Sequence, residues 1–119
     1  MLNLWFVLSP GSCGYFCLKH VLKKKIKIEK YISMYDVKKI LNDNGRYCSG
    51  VKIKSVEYIK RECITLVKSG KKSYHYVVIK RVSGDYVYFY DPLFLGIKRK
   101  KIDKFTLKWS HICLFYTKV

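Results

Sequence analysis

The sequence contains no CxxC pair, no apolar run long enough to cross a bilayer and no Gly-x-x-x-x-Gly-Lys-[Ser/Thr] phosphate loop. Its five cysteines (13, 17, 48, 63 and 113) are an odd number without metal-ligand spacing, which argues against a zinc site and a disulfide framework. A reducing compartment is the simpler expectation. The apolar N-terminus, Met1 to Leu8, is too short to span a membrane and lacks a basic leading segment. It reads as an extended segment laid on the core. Repeats, low-complexity linkers and an internal domain boundary are also missing, so residues 1–119 read as one domain.

Acidic residues are scarce as well. Eight Asp plus Glu stand against 25 Lys plus Arg, a net charge of +17. Such a field attracts nucleic acid, anionic lipid and acidic peptides with little selectivity. The lysines are scattered over the whole chain, with short runs at 23–25 and 98–101, as a solvated basic surface would have them. Half of the residues are hydrophobic, and 11 Tyr, 6 Phe and 2 Trp supply bulky core material.

Ser9-Pro10-Gly11-Ser12 is a turn cluster, and Phe16, Cys17, His20 and Val21 behind it have the spacing of a helix face. A second helix is predicted from about Met34 to Asn42, with Ser33 as N-cap and Asp36 completing a capping-box variant. Asn42 to Gly45 should end it. The second half is strand-like: 51–54, 74–81 and 86–90 alternate, with turn signals at 69–72 and 82–85. A short helix near 103–109 and a last strand, 111–117, close an α+β domain with helices packed on an antiparallel sheet.

Three residues suggest chemistry when taken together. Cys13 lies where the turn becomes the first helix, where the helix dipole and free N–H groups favour a thiolate. Those N–H groups can also hold an oxyanion. His75 heads the apolar run 76–79, and Asp91-Pro92 ends the following strand. A hairpin turning about residue 83 sets His75 directly opposite Asp91 at its open end. The aspartate would fix the histidine tautomer and leave the other ring nitrogen to take a proton from the thiol. Each residue alone has an ordinary structural reading. His20 and His111 read as surface or packing histidines; Tyr74, Tyr76 and Trp109 read equally as packing residues or as a substrate groove.

Ser12-Cys13-Gly14-Tyr15-Phe16-Cys17-Leu18 resembles the start of the C39 peptidases, papain-like domains that remove double-glycine leader peptides beside bacteriocin-exporting ABC transporters. His75-Tyr76-Val77-Val78 and Asp91-Pro92 are similar to the family's His and Asp segments, and Gly96, Phe105 and Trp109 to its closing signature. The resemblance implies a papain-like fold, a thiol peptidase without cofactor or metal, and Cys13, His75 and Asp91 as its catalytic residues. It further implies a Gly-Gly leader peptide as substrate and a separate ABC transporter as partner, in a protein that is cytoplasmic or peripheral at the inner face of the membrane. Two departures stand out: Val7 occupies the place of an oxyanion-holding glutamine, and Ser12 that of an aspartate. Loss of one oxyanion donor costs on the order of 10²–10³ in rate. The alternatives are therefore an impaired relative that binds leaders or a transporter, and a basic nucleic-acid-binding module with Tyr86, Tyr88 and Tyr90 as a stacking face.

Overall fold

The computed structural model describes residues 13–24, 33–68, 74–92, 94 and 96–117. The expected N-terminal extended segment, the turn at 9–12 and the turn at 69–72 lie outside the described residues.

Among the described residues two helices come first, α1 (Cys13–Leu22) and α2 (Met34–Asp43). The predicted capping box starts α2: the Asp36 N–H donates to the Ser33 hydroxyl oxygen at 3.1 Å, and the Ser33 N–H donates to the Asp36 carboxylate at 3.0 Å. Gly45 follows the helix with φ +80°, a backbone state that costs glycine little. Six strands follow: β1 (Cys48–Lys52), β2 (Cys63–Lys68), β3 (Tyr74–Ser83), β4 (Tyr86–Asp91), β5 (Gly96–Lys101) and β6 (Trp109–Tyr116). A short helix, α3 (Ile102–Thr106), precedes β6. All pairings are antiparallel, in the order β1-β6-β2-β3-β4-β5.

The sheet buries both faces. On one, Leu18 and Val21 of α1 and Val37 and Leu41 of α2 pack on Ile64, Val78 and Leu114. On the other, Val77, Ile79, Val87 and Phe89 pack with Phe105 of α3 and Trp109. The Trp109 indole N–H donates to the Thr65 hydroxyl at 2.9 Å, and that hydroxyl donates to the Ile112 carbonyl at 2.5 Å. The buried Thr65 hydroxyl is thereby satisfied, as burial requires.

Two strands escaped the sequence reading. β2 is central, and Cys63, Ile64 and Thr65 in succession are buried, so it shows no alternation. β5 holds the basic run 98–101, read above as a plain solvated surface. It is an edge strand bonded to β4 alone, where lysines discourage further pairing. β1 begins at Cys48 and ends at Lys52, short of the predicted 51–54 alternation. The helix placed at 103–109 is a single turn ending at Thr106.

Candidate active site

The hairpin of β3 and β4 is joined by Gly84-Asp85, with Ser83 paired to Tyr86. Gly84 has φ +58° and occupies the first central position of the turn, where a type II′ hairpin places glycine. From Ser83 to Arg81 the strands pair without interruption; between Ile79 and Arg81 the register slips by one residue. Lys80 is the extra residue, a β-bulge.

The bulge decides which side chains meet. With unbroken register from the turn, Asp91 would lie across from Val78 and on the face opposite His75. A one-residue slip moves every later side chain to the other face. Val78 instead pairs with Tyr90, which sets Asp91 beside Val77 and on the same face as His75. The direct opposition expected from the sequence is therefore corrected to a diagonal pairing two residues out of step, still within reach across a sheet.

His75 Nε2 stands 3.6 Å from Asp91 Oδ1, and both residues are buried, at 8% and 5% exposure. Neither ring nitrogen of His75 has a hydrogen-bond partner among the described residues. A buried imidazole left in that state costs about 1–3 kcal/mol, so it calls for an explanation. Because Nε2 is the nitrogen that faces the carboxylate, Nδ1 is the one left open. The pair borders a cavity of about 220 Å³ whose floor is Val67, Phe89 and Phe105.

Cys13 is the first residue of α1; its side chain lies outside the described residues. The direction of α1 is fixed by its later residues. The His20 ring stacks on Tyr90 at 4.0 Å, and His20 Nε2 is 3.0 Å from Lys80 Nζ. Cys17, one turn earlier, lies in the same cluster as Tyr76 and Tyr90. Four residues of helix advance about 6 Å, roughly two strand residues. The start of α1 is thus directed to the Tyr74 end of β3, where His75 and Asp91 are. α1 covers one face of the sheet and the His75–Asp91 pair lies on the other, at the end toward which the start of α1 is directed.

The other described cysteines are buried or half-buried, and contact with Cys63 lowers the pKa of the buried Cys113 thiol. Cys17, Cys63 and Cys113 are buried, and burial raises the thiol of half-buried Cys48. Contact with Cys113 and burial push the Cys63 thiol up. His20 and His111 are packing residues, on Tyr90 and Trp109 respectively. Trp109 is core, whereas Tyr74 is half exposed next to His75. The signal that the sequence reading lacked was the bulge at Lys80, which no residue pattern in β3 announces.

Helices laid on one face of an antiparallel sheet, with a cysteine opening the first helix and a buried histidine–aspartate pair at the sheet's end, define a papain-like peptidase fold. The model of the Peptidase C39 family matches residues 8–119, and the chain belongs to that family. This puts it in the cysteine peptidase class. A curated relative, the probable functional amyloid protease FapD of Pseudomonas aeruginosa, is 36% identical over 83 residues, 67% of this chain and 35% of FapD. The chain thus spans about a third of that relative's length.

Among solved structures, the peptidase domain of Streptococcus mutans ComA superposes with a TM-score of 0.73 at 18% identity, covering 90% of this chain and 92% of that one. A double-glycine-motif protease from an AMS/PCAT transporter, solved with its leader peptide, gives a TM-score of 0.73 at 22% identity over 100% of this chain and 88% of its own. These likenesses establish the shared fold. Among the described residues no helix is long and apolar enough to cross a membrane.

Proposed function

We propose that this chain is a thiol peptidase that cuts leader peptides after a Gly-Gly-type site, with Cys13 as nucleophile, His75 as base and Asp91 as the group that orients the imidazole. The observation that carries the proposal is the buried His75–Asp91 pair, its Nδ1 unengaged among the described residues, at the end of the sheet to which α1 directs Cys13. Family membership and the likeness to a protease solved with a double-glycine leader support the choice of substrate.

In this mechanism Asp91 accepts a hydrogen bond from Nε2–H of His75, which fixes the tautomer and leaves Nδ1 basic. Nδ1 takes the Cys13 thiol proton, and the thiolate attacks the scissile carbonyl carbon. The N-terminal N–H groups of α1 stabilise the oxyanion. Collapse of the adduct expels the amine, which takes its proton from Nδ1. Water then gives a proton to Nδ1 and adds to the thioester, and the thiolate leaves. A separate transporter supplies the route of export, in keeping with the transporter origin of the AMS/PCAT relative.

One observation favours a second reading. Val7 stands where the family carries its oxyanion glutamine, and the family match begins one residue later. A domain with that defect would bind leaders without cutting them. Mass spectrometry of a double-glycine leader peptide incubated with the protein separates the two. Cleavage after the glycine pair by wild type and none by Cys13→Ala is the result expected. Binding without cleavage would establish the impaired relative instead.

A further inference from the structure

Among the described residues four lysines line the cavity beside His75 and Asp91. They come from Lys68 at the end of β2, Lys98 and Lys100 on β5, and Lys108 just before β6. Lys98 pairs with Phe89 and Lys100 with Val87, so both stand on the same sheet face as Asp91 and the apolar floor. Among the described residues Asp91 is the one carboxylate in the lining, and it is turned to His75. Among the described residues none of the four lysines has a salt-bridge partner. Lys98 Nζ sits 3.6 Å from the centre of the Phe94 ring, a cation–π contact that holds the ammonium at the cavity rim.

A concavity ringed by charges of one sign concentrates their potential, which scattered surface lysines do not. The shape also has two parts: an apolar floor of Val67, Phe89 and Phe105, and a cationic rim. We infer that this cavity is a subsite for an acidic side chain of the peptide substrate, with the methylenes on the floor and the carboxylate among the lysines. The inference rests on the peptidase reading and specifies its substrate. Because the cavity shares His75 and Asp91 with the proposed catalytic machinery, the acidic residue lies close to the scissile bond.

The test uses two synthetic peptides spanning a Gly-Gly site, identical except that the residues flanking the glycine pair are Glu in one and Gln in the other. Binding to Cys13→Ala is measured by fluorescence anisotropy, and cleavage by the wild type in parallel. The Glu peptide is expected to bind about tenfold more tightly, the effect of several partly exposed charge-assisted contacts. Lys98→Gln with Lys100→Gln should cut that preference to about twofold or less. Lys38→Gln with Lys39→Gln removes the same charge from exposed positions on α2, over the opposite face, and should leave the preference intact. Equal binding of the two peptides, or binding of neither, would overturn the subsite. So would an equal loss of preference in the α2 control, which would assign it to net charge. A preserved binding preference without wild-type cleavage would uphold the subsite and defeat the peptidase reading.

Discussion

On the helix side of the sheet, His20, Lys80, Glu62 and Tyr116 form a closed polar cluster; on the other side, His75 and Asp91 form an open one. Lys80 Nζ pairs with the Glu62 carboxylate and lies 3.0 Å from His20 Nε2, while the Tyr116 hydroxyl donates to Glu62 at 2.7 Å. Burial, and then the bond to Glu62, push the Tyr116 hydroxyl far above its ordinary range. Burial, and then the Lys80 ammonium, lower the pKa of His20. The closed cluster thus disfavours the charged imidazole beside an ammonium that is itself paired with Glu62. His75, more deeply buried, has neither nitrogen hydrogen-bonded among the described residues. A fold satisfies buried polar groups wherever structure alone is at stake. The difference supports the proposal that His75 serves chemistry rather than packing.

The clusters are joined through one residue. Lys80 is the bulge that brings Asp91 onto the face of His75, and the closed cluster is what grips Lys80. Perturbing one cluster should therefore register at the other, but not the reverse. The largest effect is expected from His75→Ala. Peptide cleavage should fall by about 10³-fold or more. The melting temperature should hold or rise, because an unsatisfied buried group is removed. A large loss of stability would make His75 a structural residue and erase the contrast.

Asp91→Asn comes next, with a loss of roughly 10²-fold in kcat from a misoriented imidazole and little change in KM. A rise in KM alone would assign Asp91 to binding. Glu62→Gln should lower stability by about 1–3 kcal/mol in urea denaturation, since it leaves Lys80 and Tyr116 without their charged acceptor. It should also reduce kcat more modestly than Asp91→Asn, through the bulge. Unchanged kcat would separate the clusters.

The smallest effect concerns pH. His20 titrates below 6.5 in the folded protein, so the unfolded chain binds its proton first. The stabilising contribution is complete above pH 6.5 and is lost as pH falls from there toward the lowered folded value. Chemical denaturation of His20→Gln should show a shallower loss of stability over that window than wild type. An equal slope would mean that His20 is not held neutral.

Much of this architecture was legible in the sequence because its signals are local. Ser33 and Asp36 announce α2, Gly84 announces the hairpin, and Cys13, His75 and Asp91 stand in segments that resemble a known family. What the sequence did not show depends on long-range packing. β2 hides because burial on both faces removes its alternation, and β5 because an edge strand of lysines looks like a solvated loop. An unbroken ladder turning about residue 83 would face His75 and Asp91 directly, whereas the loop is Gly84-Asp85 and the ladder slips at Lys80. The actual diagonal arrangement depends on Lys80, and what holds that bulge is a glutamate from before β2 and a histidine from α1, both distant in the chain.

The central claim is that Cys13 is activated by His75, and the rate of alkylation at Cys13 measures it most directly. Wild type and His75→Ala would be treated with iodoacetamide across pH 5–9, with modification at each cysteine followed by peptide mapping. The account predicts that Cys13 in wild type reacts far faster near neutral pH than Cys17, Cys48, Cys63 and Cys113. It predicts that His75→Ala slows Cys13 to the rate of an ordinary exposed thiol. Equal Cys13 rates in the two proteins across that range would contradict it.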